Sequence, residues 1–66
     1  LKKAREYLEK AFSLEPENTK IMSNLGYLAL AEGKKEEART YFATVLEYDP
    51  KDIIASSELM KLEREI

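Results

Sequence analysis

Shifted by 34 positions, the chain lies over itself. Ala4 falls on Ala38, Arg5 on Arg39, Tyr7 on Tyr41 and Pro16 on Pro50. Leu8 falls on Phe42, Phe12 on Leu46 and Glu15 on Asp49; further along, Asn18 meets Asp52 and Leu25 meets Leu59. Small residues meet small ones, bulky apolar residues meet bulky apolar ones, and each segment closes on an acid followed by proline. A sequence period of this length marks one supersecondary unit that cannot bury its apolar face alone and must stack on its neighbours. The chain is therefore constrained to a pile of like units before any helix or strand is assigned.

The spacing of apolar residues fixes what those units are made of. Leu1, Ala4, Leu8, Ala11 and Phe12 recur three or four apart, on one helical stripe. Pro16 stops that helix and Asn18 caps the next. Ile21, Met22, Leu25, Leu28 and Ala29 form a second stripe, which Gly33 ends by supplying a left-handed residue. A third runs through Ala38, Tyr41, Phe42, Val45, Leu46 and Tyr48 to Pro50. Asp52 then caps a fourth helix, with Ala55, Leu59, Leu62 and Ile66 on one face. The pattern predicts an all-α chain with helices over 1–14, 19–32, 35–48 and 52–65. Turns this short force adjacent helices antiparallel. No strand-type alternation is sustained.

Composition removes several classes of function. With 66 residues the chain is one domain at most, and a small helical one of marginal stability. The net charge of −2 argues against nucleic acid, because Glu6 and Glu9 interleave Lys2, Lys3 and Arg5 where a phosphate-binding face needs clustered cations. There is no cysteine and no histidine, so disulfides, thiolate chemistry, the commonest general base and the commonest zinc ligand are all missing. The redox compartment is not legible for the same reason. No apolar run approaches the roughly 20 residues of a membrane span. Glu36 and Glu37 point about 100° apart on a helix and sit at its start, where negative charge offsets the macrodipole; Lys34 and Lys35 read as a solvated turn. No phosphate-cradling loop or nucleophile motif is present. No catalytic residue, cofactor or metal site is expected. The chain opens on Leu1 in the middle of an amphipathic pattern, as an excised piece of something longer does.

Residues 19–52 resemble one complete tetratricopeptide repeat. Leu25-Gly26 is similar to the Leu-Gly pair of that family's first helix. Ala38 matches the small residue early in its second helix, Phe42 its aromatic and Pro50 its terminal proline; Gly33 stands where many repeats place glycine between helices. Residues 1–18 resemble the second helix of a preceding repeat, through Ala4, Leu8, Ala11 and Pro16, and residues 53–66 a first or capping helix of a following one. The resemblance implies antiparallel helix pairs stacked as a short right-handed superhelix. Gly26 and Ala38 then let facing helices approach, and Phe42 fills the space between successive units. The chain departs from the family at Met22 and Ala29, where large aromatics are favoured, at Val45, where a small residue is usual, and at Lys34, a poor cap. Met60 stands where the pattern wants glycine, which hints at a capping helix.

The resemblance also implies a role: a protein–protein interaction scaffold, with a peptide or helical segment of a partner held on a concave face lined by first helices. Tyr27 follows Gly26 directly and so points off the packed face. Helical spacing places Lys20, Ser23, Asn24 and Leu30 with it on the second helix. The fourth helix offers Ile54, Ser57 and Lys61, with Glu58 and Arg64 beside them. Tyr7, Tyr41 and Tyr48 lie on second-helix stripes and suit packing between repeats. The basic and amide clamp with which some family members grip a C-terminal carboxylate is not reproduced: Ser23 and Glu58 stand where it needs cations, and Tyr27 where it needs an amide. The alternative function is structural self-assembly into homo-oligomers. Each terminal helix lacks one neighbour, and Leu59, Met60 and Ile66 of one copy could meet Leu1 or Leu8 of another.

Overall fold

A computed structural model of the chain describes residues 2–64. Four helices follow one another: α1 (Lys2–Leu14), α2 (Thr19–Ala31), α3 (Lys35–Tyr48) and α4 (Ile53–Arg64). Leu1 and Ile66, expected on the first and fourth stripes, lie outside the described residues. Each helix packs on the next, α1 on α2, α2 on α3 and α3 on α4, in a slab of about 30 × 25 × 13 Å. The chain is all-α, as the periodicity requires.

The punctuation works through identifiable hydrogen bonds. Asn18 Oδ1 accepts the N–H groups of Lys20 at 2.9 Å and Ile21 at 3.2 Å, satisfying two of the orphan donors that open α2. Asp52 Oδ1 does the same for α4, accepting the Ala55 N–H at 2.8 Å. Between α2 and α3 the backbone turns through Gly33, at φ 78°. The Lys34 N–H donates to the Ala29 carbonyl at 2.8 Å and the Gly33 N–H to that of Leu30 at 3.1 Å. This paired closure needs a left-handed residue at its centre, which glycine adopts without steric cost. Lys34 makes no side-chain cap; α3 begins instead with Glu36 and Glu37 in its first turn.

The core lies where α2, α3 and α4 meet. Met22, Leu25, Ala29, Ala38, Phe42, Val45 and Ala55 are completely buried, and Leu28 and Leu62 nearly so. The departures at Met22, Ala29 and Val45 all fall within one buried cluster, so volume lost at Ala29 and gained at Val45 is redistributed in a single packing unit. At Gly26 the structure refines the expectation. What occupies the space left by the missing side chain is the ring of Phe42: a β-carbon placed on Gly26 would lie 2.7 Å from Cζ and 2.8 Å from Cε2.

α1 is covered on one side only. None of its residues is fully buried; Leu8, Ala11 and Phe12 are half-buried and Ala4 is exposed. Phe12 lies edge-on to Tyr41 of α3, with ring centroids 6.1 Å apart and planes at 87°. Tyr41 thus packs between helices as expected, whereas Tyr7 and Tyr48 stand in solvent. Tyr7 lies one position, about 100°, off the Leu8–Phe12 stripe, and Tyr48 is the last residue of α3.

Candidate functional site

The first helical turns of α2 and α4 flank an open cleft of about 360 Å³, with Tyr27 from the middle of α2 reaching into it. Thr19, Lys20, Ser23, Asn24 and Tyr27 line it from α2, and Asp52 and Ile54 from the start of α4. Spacings of one, three, one and three residues put the α2 set on a single helical face. Tyr27 is the only aromatic residue of the cleft, and it does not stand alone. Its ring meets that of Phe42 edge-on, at 5.4 Å and 76°. Phe42 is itself held against Gly26, so three residues in series fix an aromatic surface that is still 42% exposed. A rigid, half-exposed aromatic is the side chain most often found as an interface anchor.

Two other depressions of similar size run along the outer faces of single helices. One lies over Ile53, Ser57 and Met60 of α4, the other over Tyr7, Ala11 and Leu14 of α1. Neither is formed between two helices, and neither holds an aromatic ring supported from the core.

The cleft brings together Lys20, Ser23, Asn24, Tyr27 and Ile54. Leu30 is half-buried and packs on the core cluster. Ser57 belongs to the outer depression on α4. Lys61 is exposed and lies 3.7 Å from the Glu58 carboxylate. Thr19 and Asp52 also line the cleft; from sequence Asp52 reads only as a helix cap. Burial raises the Tyr27 phenol above its ordinary pKa, and the carboxylates of Glu58 and Asp52 push it the same way. The phenol thus sits in a negative local field.

A second polar cluster ties three helices together. Arg5 of α1 donates through Nε to Glu32 at the end of α2, at 2.9 Å, through Nη2 to Glu37 of α3, at 2.6 Å, and through Nη1 to Glu9 of its own helix, at 3.0 Å. Those bonds hold the guanidinium protonated more firmly than usual. The hydrogen bond from Arg5 holds the Glu32 carboxyl below its ordinary value of 4.5, against the opposing effect of partial burial. Stability from a depressed carboxyl is fully present above the unfolded-state value and is lost as pH falls through the folded-state one. Glu32→Gln is therefore expected to melt below the wild type at about pH 7, with the gap closing as pH falls below about 4.5. Thermal melts of both proteins at neutral and acid pH check this. A gap that stays constant down to about pH 3 would exclude the charge as its cause. The sequence pattern does not reveal this cluster: Arg39, the counterpart of Arg5, pairs with Glu36 of its own helix.

Among the described residues no group of carboxylates could hold a metal ion, and no helix is long and apolar enough to cross a membrane. The chain belongs to the tetratricopeptide-repeat family, whose profile, Tetratricopeptide repeat, matches residues 1–62. It is 36% identical over 61 residues to Tetratricopeptide repeat protein 21B of Mus musculus, covering 92% of this chain and 5% of that protein. Over 64 residues it is 38% identical to BBSome complex member BBS4 of Bos taurus, covering 92% of this chain and 12% of that protein. The human Tetratricopeptide repeat protein 21B is 33% identical over 55 residues, or 83% of this chain and 4% of that protein. The chain thus spans a small fraction of each relative. No solved structure matches it. It is a tetratricopeptide-repeat module, a helical scaffold of a kind that generally serves protein–protein interaction.

Proposed function

We propose that the chain binds a peptide or helical segment of a partner protein in the cleft between α2 and α4, with Tyr27 as the anchor. The observation that carries this is the support of the Tyr27 ring by Phe42 and Gly26. An anchor already held in place loses little side-chain entropy when a ligand covers it. Lys20, Ser23, Asn24 and Ile54 surround the ring with mixed polar and apolar contacts, and an amide such as that of Asn24 both donates to and accepts from a peptide backbone. In this reading residues 19–52 form one complete repeat. Residues 1–18 are the second helix of the repeat before it, and residues 53–66 a first or capping helix after it.

Panning displayed random peptides on the chain tests the proposal. Peptides selected on the wild type are expected to lose about tenfold or more in affinity for Tyr27→Ala, and several-fold for Ile54→Ala. Selected peptides that bind all three proteins equally would remove the cleft from consideration.

Self-assembly is the second reading, and exposed side chains favour it. Tyr7 and Leu14 on α1, and Ile53 and Met60 on α4, are all at least half exposed. Flanking helices of a longer chain, or another copy, would cover them equally well. Sedimentation across a wide concentration range separates the two, since a species that stays monomeric throughout eliminates self-assembly.

A further inference from the structure

The charges around the cleft are unevenly placed, and this bears on the chemistry of what docks there. Asp52 lines the cleft, and Oδ1 is the oxygen that caps α4. No donor among the described residues reaches its Oδ2. Glu58 stands one helical turn beyond Ile54, on the same face of α4. Its side chain is only 19% exposed, so its charge is less screened than one in open water. The cations near the cleft compensate poorly. Lys20 lies two turns before Tyr27, about 10 Å of helical rise, which is comparable with the screening length of physiological salt. Lys61 makes a loose pair with Glu58 at 3.7 Å, and its own side chain is 64% exposed. Between the two lysines lies an aromatic ring with carboxylates beside it.

We propose that the docking segment carries an arginine or lysine next to an apolar residue. Its aliphatic stem lies on the Tyr27 ring and its cationic head meets the carboxylates of Asp52 and Glu58. This rests on the reading of the cleft as a partner-binding surface and adds the sign of the ligand's charge. Tyr27 and Ile54 supply the apolar wall, which suits the long stem that both basic side chains bring. The ring face attracts a cation through its quadrupole, and a guanidinium adds two parallel hydrogen bonds to a carboxylate. Arginine is thereby preferred over lysine. An acidic segment meets two carboxylates here, and the cations it finds are Lys20, two turns before Tyr27, and Lys61, already beside Glu58.

The test uses short fluorescent peptides rich in leucine and alanine, identical except for a central arginine, glutamine or glutamate. Binding is followed by anisotropy and by the amide resonances of Tyr27 and Ile54. The arginine peptide is expected to bind about tenfold more tightly than the glutamine peptide, with the glutamate peptide weakest. The double variant Asp52→Asn, Glu58→Gln keeps an N-cap at residue 52 and a good helix former at residue 58. It is expected to bind arginine and glutamine peptides alike. If all three peptides shift Tyr27 with equal affinity, or the glutamate peptide binds best, the cation is overturned and the cleft stands. An arginine preference that survives in the double variant also overturns it. If no peptide shifts Tyr27, the cleft and the cation fall together.

Discussion

Phe42→Ala is expected to abolish cooperative folding of the chain, or to lower its melting temperature by about 15–30 °C. Phe42 is completely buried and shares a cluster with Met22, Ala29, Ala38, Val45, Ala55 and Leu62, so its removal opens a cavity among residues from three helices. Truncating a buried phenylalanine costs about 3–5 kcal/mol, part of it lost transfer energy and part the cavity left behind. At about 0.05–0.15 kcal/mol per residue, a chain of this size has only a few kcal/mol of net stability to lose. Far-UV circular dichroism during heating measures the outcome. A variant that still melts cooperatively within about 5 °C of the wild type would show that the ring is not packed as described. The same substitution removes the support behind Tyr27, so a partially folded survivor should also bind selected peptides less well than the wild type.

The fold was legible in the sequence because its determinants are local. Stripes three and four residues apart, Asn18 and Asp52 before helices, and Gly33 after one are readable without knowing which helix touches which. The cleft was legible only in part, because which face of α2 turns outward depends on its neighbours. Leu30 stands four residues beyond Gly26 and three beyond Tyr27, so spacing alone fits it to either stripe; packing assigned it to the Gly26 side and the core. Ser57 shares the stripe of Ile53 and Met60, while Ile54 begins the one that meets α2. Asp52 was recognised as a cap, a role that uses one carboxylate oxygen and says nothing of where the other points. The Arg5 cluster joins residues 27 and 32 positions apart, beyond the reach of any periodicity within one helix.

The second large effect concerns Gly26. The size of residue 26 is not set by helix propensity, which prefers methionine to glycine by nearly 1 kcal/mol. It is set by Phe42, whose ring already lies within 2.7 Å of where a β-carbon would be. Gly26→Met is expected to cost about 3 kcal/mol, near the upper end for overpacking a dense core and well beyond its gain in helix propensity. Gly26→Ala poses the conflict in its smallest form: propensity favours it by about 1 kcal/mol, while the overlap opposes it by about 1–3 kcal/mol. Because the ring is buried and cannot swing into solvent, overlap wins and the variant is less stable than the wild type. In a Phe42→Leu background the overlap is relieved and only the propensity remains. Gly26→Ala should there become neutral or stabilising, giving an interaction energy of about 1–2 kcal/mol in a double-mutant cycle read from urea titrations. Additive effects in that cycle would mean that Gly26 and Phe42 do not constrain each other, and the account of how Tyr27 is held in the cleft would lose its foundation.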